Sequence, residues 1–198
     1  MKAPWQAHEK LPEGYCRLKE RMDLSGNRRQ MRAVMWLSVG LFAITAAVGL
    51  LIAPLSSLVR KDAGIGNLAM KLGMLAVGII VYIVGHEAVH GVCMWSISRV
   101  KPRFGITLTY AYAGSEVYFA KHAYVLIALM PVAVWTVLLS GLSLAVPTDW
   151  FWVIWLLQTM NVSGAAGDFY VAFRICRMPP DLLVQDSGTA MSVYVQAA

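Results

Sequence analysis

Four long apolar stretches dominate this 198-residue chain and limit what it can fold into. Each holds about 20 or more mainly apolar residues, the length at which a helix crosses a hydrocarbon core of about 30 Å. The whole chain is 58% hydrophobic and 14% charged, which is too apolar for a water-soluble domain of this size. The sequence therefore predicts an all-α membrane protein with about four transmembrane helices, at residues 33–54, 69–98, 123–146 and 150–173.

The basic residues are distributed unevenly among the connecting segments. Fourteen of the 17 lysines and arginines precede the first stretch, follow the second or follow the fourth, and the other three lie around the connection between the first two. Because positively charged loops stay on the cytoplasmic side, we expect a cell-membrane protein with both termini in the cytoplasm. This asymmetry explains the net charge of +6, so we expect no nucleic acid partner.

The chain is predicted to have three parts. These are a basic cytoplasmic N-terminal segment at residues 1–32, a four-helix transmembrane domain at residues 33–178 and a cytoplasmic tail at residues 179–198. Between the second and third stretches, residues 104–119 hold β-branched and aromatic residues around an Ala-Gly-Ser turn, which predicts a small β-hairpin on the cytoplasmic side. This hairpin could bind an extended substrate along its edge, or it could rest its tyrosines among the lipid headgroups.

A His-Glu-x-x-His motif, His86 to His90, lies late in the second stretch. Residues i and i+4 share one face of a helix, so the two imidazoles can hold one metal ion. Glu87 beside them can take a proton from a metal-activated water, which gives a nucleophile for a carbonyl carbon. Ionisable side chains cost about 2.5–3.5 kcal/mol each inside a membrane, so their presence favours a function. The alternative is a hydrogen-bonded polar cluster that only packs helices.

A zinc site of this kind needs a third protein ligand, and the sequence offers three candidates. We expect Asp168, because the second and fourth stretches cross the membrane in the same direction and Asp168 lies at a depth similar to that of His86. Glu116 in the predicted hairpin is the alternative metal ligand, whereas His122 is explained more simply as an interfacial residue. Asn161, two turns before Asp168, could donate to a substrate carbonyl or an oxyanion, or it could form a helix-to-helix hydrogen bond.

With these residues the chain resembles the site-2-protease-like intramembrane zinc metalloproteases, and especially a small family of bacterial membrane zincin peptidases. The resemblance covers about residues 10–175. It implies that the motif helix supplies two zinc ligands and the general base, and that a later helix supplies an aspartate ligand, here Asp168. It also implies cleavage of peptide bonds in or near the membrane. Site-2 proteases usually place a glycine after this aspartate, whereas here Gly167 precedes it.

We therefore expect a zinc-dependent membrane metallopeptidase that binds one Zn²⁺ per chain through His86, His90 and Asp168, with Glu87 as general base. Its substrate would be a membrane protein or peptide, and its active site would lie near the cytoplasmic side of the lipid bilayer. The alternative is a non-proteolytic zinc-binding scaffold or regulator, which would have no use for Glu87. A metal transporter would need polar residues across the whole membrane, and the outer halves of the stretches hold almost none.

Overall fold

The computed structural model describes residues 5–18, 27–59, 64–107, 111–188 and 190–196. Within these ranges the helices are α1 (Arg28–Ile52), α2 (Gly64–Ser98), α3 (Lys121–Ala145), α4 (Thr148–Gly164) and α5 (Ala166–Cys176), with a 3₁₀ turn at Leu55–Ser57. The strands are β1 (Ala7–His8), β2 (Tyr15–Arg17), β3 (Arg103–Ile106), β4 (Ala111–Ala120), β5 (Leu183–Asp186) and β6 (Met191–Gln196). The described protein is therefore mostly helical, with a small antiparallel sheet.

Three helices in the described ranges, α1, α2 and α3, are long and apolar enough to cross a membrane. The helices predicted for the first three apolar stretches are thus confirmed. The fourth stretch differs, because it forms two shorter helices of 17 and 11 residues that are separated at Ala165. Gly164 and Gly167 flank this break, and glycine is a weak helix former because it loses much backbone entropy on folding. Neither α4 nor α5 alone has the length of the other spans.

The sheet is larger than the predicted hairpin, so the label all-α is wrong to that extent. Strands β3 and β4 form the hairpin itself, in a register that runs from Arg103↔Gly114 to Ile106↔Ala111. Strand β4 also pairs with β1 and β5, and the sheet continues in the order β1-β4-β5-β6-β2. The added strands come from the predicted basic segment and from the predicted tail. They are two to six residues long, too short for an alternating pattern to stand out in the sequence.

The chain divides into two compact units. The first comprises Met1–Met31, His86–Pro131 and Gly167–Ala198, and it contains the sheet, the His-Glu-x-x-His end of α2, the start of α3 and α5 from Gly167 onward. Its core is built from buried apolar side chains of both helices and strands, among them Met94, Phe119, Ile127, Ile175, Val184 and Val193. The predicted division at residues 32/33 and 178/179 stays a prediction.

The second unit comprises Arg32–Gly85 and Val132–Ala166. Within it, two polar side chains bind the connection between α1 and α2. The buried ammonium group of Lys71 donates to the carbonyl oxygens of Ser57 and Leu58, at 3.3 and 3.0 Å. The indole of Trp152 donates to Pro54 at 3.0 Å. These bonds satisfy backbone oxygens of the connection, as an apolar environment requires.

Candidate metal centre

Two histidines and one aspartate meet inside the first unit. His86 and His90 are one turn apart on α2, and Asp168 lies in the first turn of α5. The Nε2 atom of His86 is 3.3 Å from Asp168 Oδ2, and that of His90 is 3.7 Å from Asp168 Oδ1. All three ligand atoms lie within 4.8 Å of one another. Ligands at roughly 2.0–2.2 Å from a tetrahedral zinc ion are about 3.4 Å apart, so this set of donors fits zinc.

A main-chain hydrogen bond orients the imidazole of His90. Its Nδ1 atom lies 2.9 Å from the carbonyl oxygen of Ile127 on α3. A carbonyl can only accept, so Nδ1 carries a proton, and in the neutral ring the lone pair is then on Nε2, the atom nearest Asp168. Metal-binding histidines usually have such a partner on the nitrogen that does not bind the metal, because it fixes the tautomer and the ring orientation.

Glu87 lies between the two histidines in sequence and contacts the hairpin. Its Oε2 accepts a hydrogen bond of 2.9 Å from the backbone N–H of Ala113 on β4. Ala113 is directly opposite Phe104 in the β3–β4 register. Its N–H points to Glu87 and therefore does not point to Phe104 on β3. This pair is therefore a non-hydrogen-bonded pair of the antiparallel ladder. Strand β4 thus positions the carboxylate that the sequence predicted as the general base.

The other two candidate ligands lie apart from this group. Glu116 is on β4 with its side chain 60% exposed, and its Oε1 is 3.4 Å from Arg103 Nη1. His122 is the second residue of α3, and among the described residues neither side chain belongs to the three-residue group. Of the candidates for third ligand, the structure brings Asp168 to the two histidines.

Asn161 lies in the second unit, on α4. It is fully buried, and its Nδ2 donates to Thr136 Oγ1 at 3.0 Å and to the Val132 carbonyl at 3.3 Å, both on α3. This is the helix-to-helix hydrogen bond that the sequence left open. A role in binding an oxyanion or a substrate carbonyl stays a prediction.

Two residues near the metal centre were not identified from the sequence. The Tyr124 hydroxyl, on α3, donates to Asp186 Oδ2 on β5, and the Gly188 N–H donates to Asp186 Oδ1 at 2.8 Å. Burial raises the pKa of Asp186 above its usual value, while these two hydrogen bonds lower it. The signal in the sequence was an Asp-Ser-Gly turn between apolar segments, which resembles an ordinary hairpin turn.

Comparison with known proteins gives one result. Residues 79–183 match the family described as "Putative zincin peptidase". The matched segment is more than half of the chain, and it includes His86, Glu87, His90 and Asp168. It ends at Leu183, the first residue of β5. No curated protein and no solved structure shows a significant match.

Proposed function

The chain belongs to the zincin peptidase family, and from that premise we propose that it is an intramembrane zinc metalloprotease of the site-2-protease-like type. The observation that carries this proposal is the convergence of His86, His90 and Asp168 next to Glu87. Three protein ligands leave one position of a tetrahedral zinc ion for water or substrate, the composition of catalytic zinc sites.

The two histidines and Asp168 would hold the ion, and zinc when bound supplies a Lewis acid that polarises a carbonyl and activates a water molecule. Glu87 would accept the proton of the attacking water and pass it to the amine of the leaving peptide segment. The Ala113 N–H keeps the Glu87 carboxylate in one place for both steps. The Ile127 carbonyl keeps Nε2 of His90 available as a ligand.

We also propose that the chain crosses the membrane four times, with α4 and α5 together as the last crossing and both termini in the cytoplasm. By helical rise, His86 lies about 33 Å along α2 from Gly64, which is farther than the thickness of a hydrocarbon core. The basic residues Arg99, Lys101 and Arg103 follow the end of α2. Both features favour an active site near the cytoplasmic side.

The substrate in this proposal is a membrane protein or peptide that is unwound before cleavage. A peptide bond within a helix is shielded, whereas an extended segment can pair with the edge of a sheet through main-chain hydrogen bonds. Among the described strands, β3 pairs only with β4, and the other side of β3 is the edge that would receive such a segment.

Removal and return of zinc test this function. The purified chain would be reconstituted into liposomes with a set of single-span peptides that carry a fluorophore and a quencher on either side of the cytoplasmic boundary. Cleavage should stop after treatment with a strong chelator and resume after addition of zinc. Zinc binding without cleavage of any peptide would instead favour the scaffold alternative.

A further inference from the structure

Strands β5 and β6, with the turn between them, form a C-terminal hairpin at residues 183–196. It begins where the family match ends, so family membership assigns it no role. Strand β5 pairs with β4 from Ser115↔Asp186 to Ala120↔Leu183. Leu183 is buried, and Val184 and Val193 belong to the core of the first unit. The hairpin is therefore packed against the same strand that contacts Glu87.

The first contact of interest joins this hairpin to α3. Asp186 is the acidic residue at the end of β5, and it accepts the hydrogen bond from the buried Tyr124 hydroxyl. Tyr124 is three residues before Ile127, the residue whose carbonyl holds His90. A partly buried carboxylate and a buried hydroxyl both need partners, so each holds the other in place. Asp186 is thus hydrogen-bonded to the helical turn whose carbonyl accepts from His90.

The second contact joins the turn of the C-terminal hairpin to β4. A Cβ at Gly114 would overlap the Ser187 backbone, and one at Gly188 would overlap the ring of Tyr112. Gly188 also has a φ of +85°, which favours glycine. Tyr112 and Gly114 are the neighbours of Ala113, the residue that donates to Glu87. The turn therefore packs closely against the segment of β4 that holds the base.

From these two contacts we propose that the C-terminal hairpin positions both His90 and Glu87, with Asp186 as its main positioning residue. The inference rests on the proposed function, because it assigns the hairpin to the geometry of that same site. Loss of groups that orient zinc ligands typically weakens metal binding or activity 10- to 100-fold. The alternative is that the hairpin only stabilises the fold.

The decisive variants are Asp186→Asn, Tyr124→Phe and the double variant. Asparagine keeps an acceptor oxygen for the Gly188 N–H, but it places an NH₂ group, which can only donate, where Asp186 Oδ2 accepts from Tyr124, so the charged hydrogen bond from the Tyr124 hydroxyl is lost. Tyr124→Phe keeps the buried ring, and it provides the test if Asp186→Asn does not fold. Asp181→Asn is the matched control, since it makes the same chemical change at an exposed residue five positions earlier.

Three measurements follow on each folded variant: zinc affinity by competition with a chelator, kcat and KM, and the ¹⁵N spectrum of labelled histidine recorded without metal. We expect both single variants to bind zinc about 10- to 100-fold more weakly and to lower kcat with KM little changed. We also expect a shift of the His90 ring signals. The double variant should be no worse than the single ones, because its two changes remove one interaction.

Wild-type zinc affinity, kcat and His90 signals in both single variants would overturn the inference, even with a lower melting temperature. Changes in zinc affinity, kcat and His90 signals in Asp181→Asn as large as those in Asp186→Asn would overturn the inference as well. If the wild type binds no zinc, the proposed function fails. The histidine spectrum recorded without metal still tests the inference about the hairpin. A shift of the His90 ring signals in Asp186→Asn that is absent from Asp181→Asn then supports the inference. Unshifted His90 signals in Asp186→Asn contradict it.

Discussion

His90 on α2 and Ile127 on α3 are joined by a hydrogen bond of 2.9 Å between the imidazole Nδ1 and the main-chain oxygen. Because the acceptor is a backbone atom, no side-chain substitution at Ile127 removes it. The bond leaves Nε2 of His90 directed at Asp168, which also lies beside Nε2 of His86. The position of the three ligand atoms therefore depends on how α3 and α5 pack against the end of α2.

The first prediction concerns the third zinc ligand. Asp168→Ala should weaken zinc binding by more than about 100-fold, because it removes a direct ligand and not merely a group that orients one. Glu116→Ala should bind one zinc per chain with wild-type affinity, since Glu116 is exposed and paired with Arg103. Metal analysis of both purified variants beside the wild type checks this. Retention of zinc by Asp168→Ala, with loss from Glu116→Ala, would reverse the assignment.

The second prediction concerns the general base. Glu87→Gln should bind zinc normally and lose about 10²- to 10⁴-fold in cleavage rate, because the amide cannot accept the proton of the water. Its side-chain oxygen can still accept from the Ala113 N–H, so the melting temperature should stay near that of the wild type. Glu116→Gln is the control and should cleave normally. The proposed mechanism would not survive cleavage at the wild-type rate by Glu87→Gln.

Much of the site could be predicted from the sequence because its determinants are local or follow from membrane depth. His86 and His90 share a helical face by their spacing, and the predicted crossing of the fourth apolar stretch in the same direction as the second puts Asp168 at a similar depth. The sequence could not decide against Glu116. That decision depends on which face of β4 its side chain occupies, and a one-residue change of register reverses the face.

The larger sheet could not be predicted for a different reason. Its pairings join residues far apart in the chain, such as Ala7 with Phe119 and Tyr15 with Gln196. A strand of two or three residues has no stability of its own and forms only where the fold supplies a partner. The contact between Asp186 and Tyr124 was hidden for the same reason, since the two residues are 62 positions apart.

The third prediction tests the close packing between β4 and the C-terminal hairpin. Gly114→Ala should lower the free energy of unfolding by about 1–3 kcal/mol, because the added methyl group meets the Ser187 backbone and not a movable side chain. Gly73→Ala on α2 is the matched control. A Cβ there meets nothing within 4 Å, and alanine favours a helix by roughly 0.5–1 kcal/mol, so its stability should rise slightly. Denaturation of both variants in the same detergent would compare them, and equal stabilities would contradict the packing.

The fourth prediction tests whether β3 binds the substrate. The Phe104–Ala113 pair is non-hydrogen-bonded, and hydrogen-bonded and non-hydrogen-bonded pairs alternate along an antiparallel ladder. The N–H of Gly105 therefore points toward β4, and the N–H of Ile106 points away from it. The Ile106 side chain is 84% exposed. Proline at position 106 should therefore remove a donor from the free edge and leave the ladder to β4 intact.

Ile106→Pro should raise KM for an extended substrate roughly two- to tenfold, the effect of one lost main-chain hydrogen bond of about 0.5–1.5 kcal/mol, with zinc content unchanged. Ile106→Ala is the matched control, since it also loses the exposed side chain but keeps the N–H, and it should behave like the wild type. If the hairpin instead rests in the headgroup layer, neither variant should change KM. A rise of the same size in both would assign the effect to the side chain of Ile106 and would exclude pairing through its backbone.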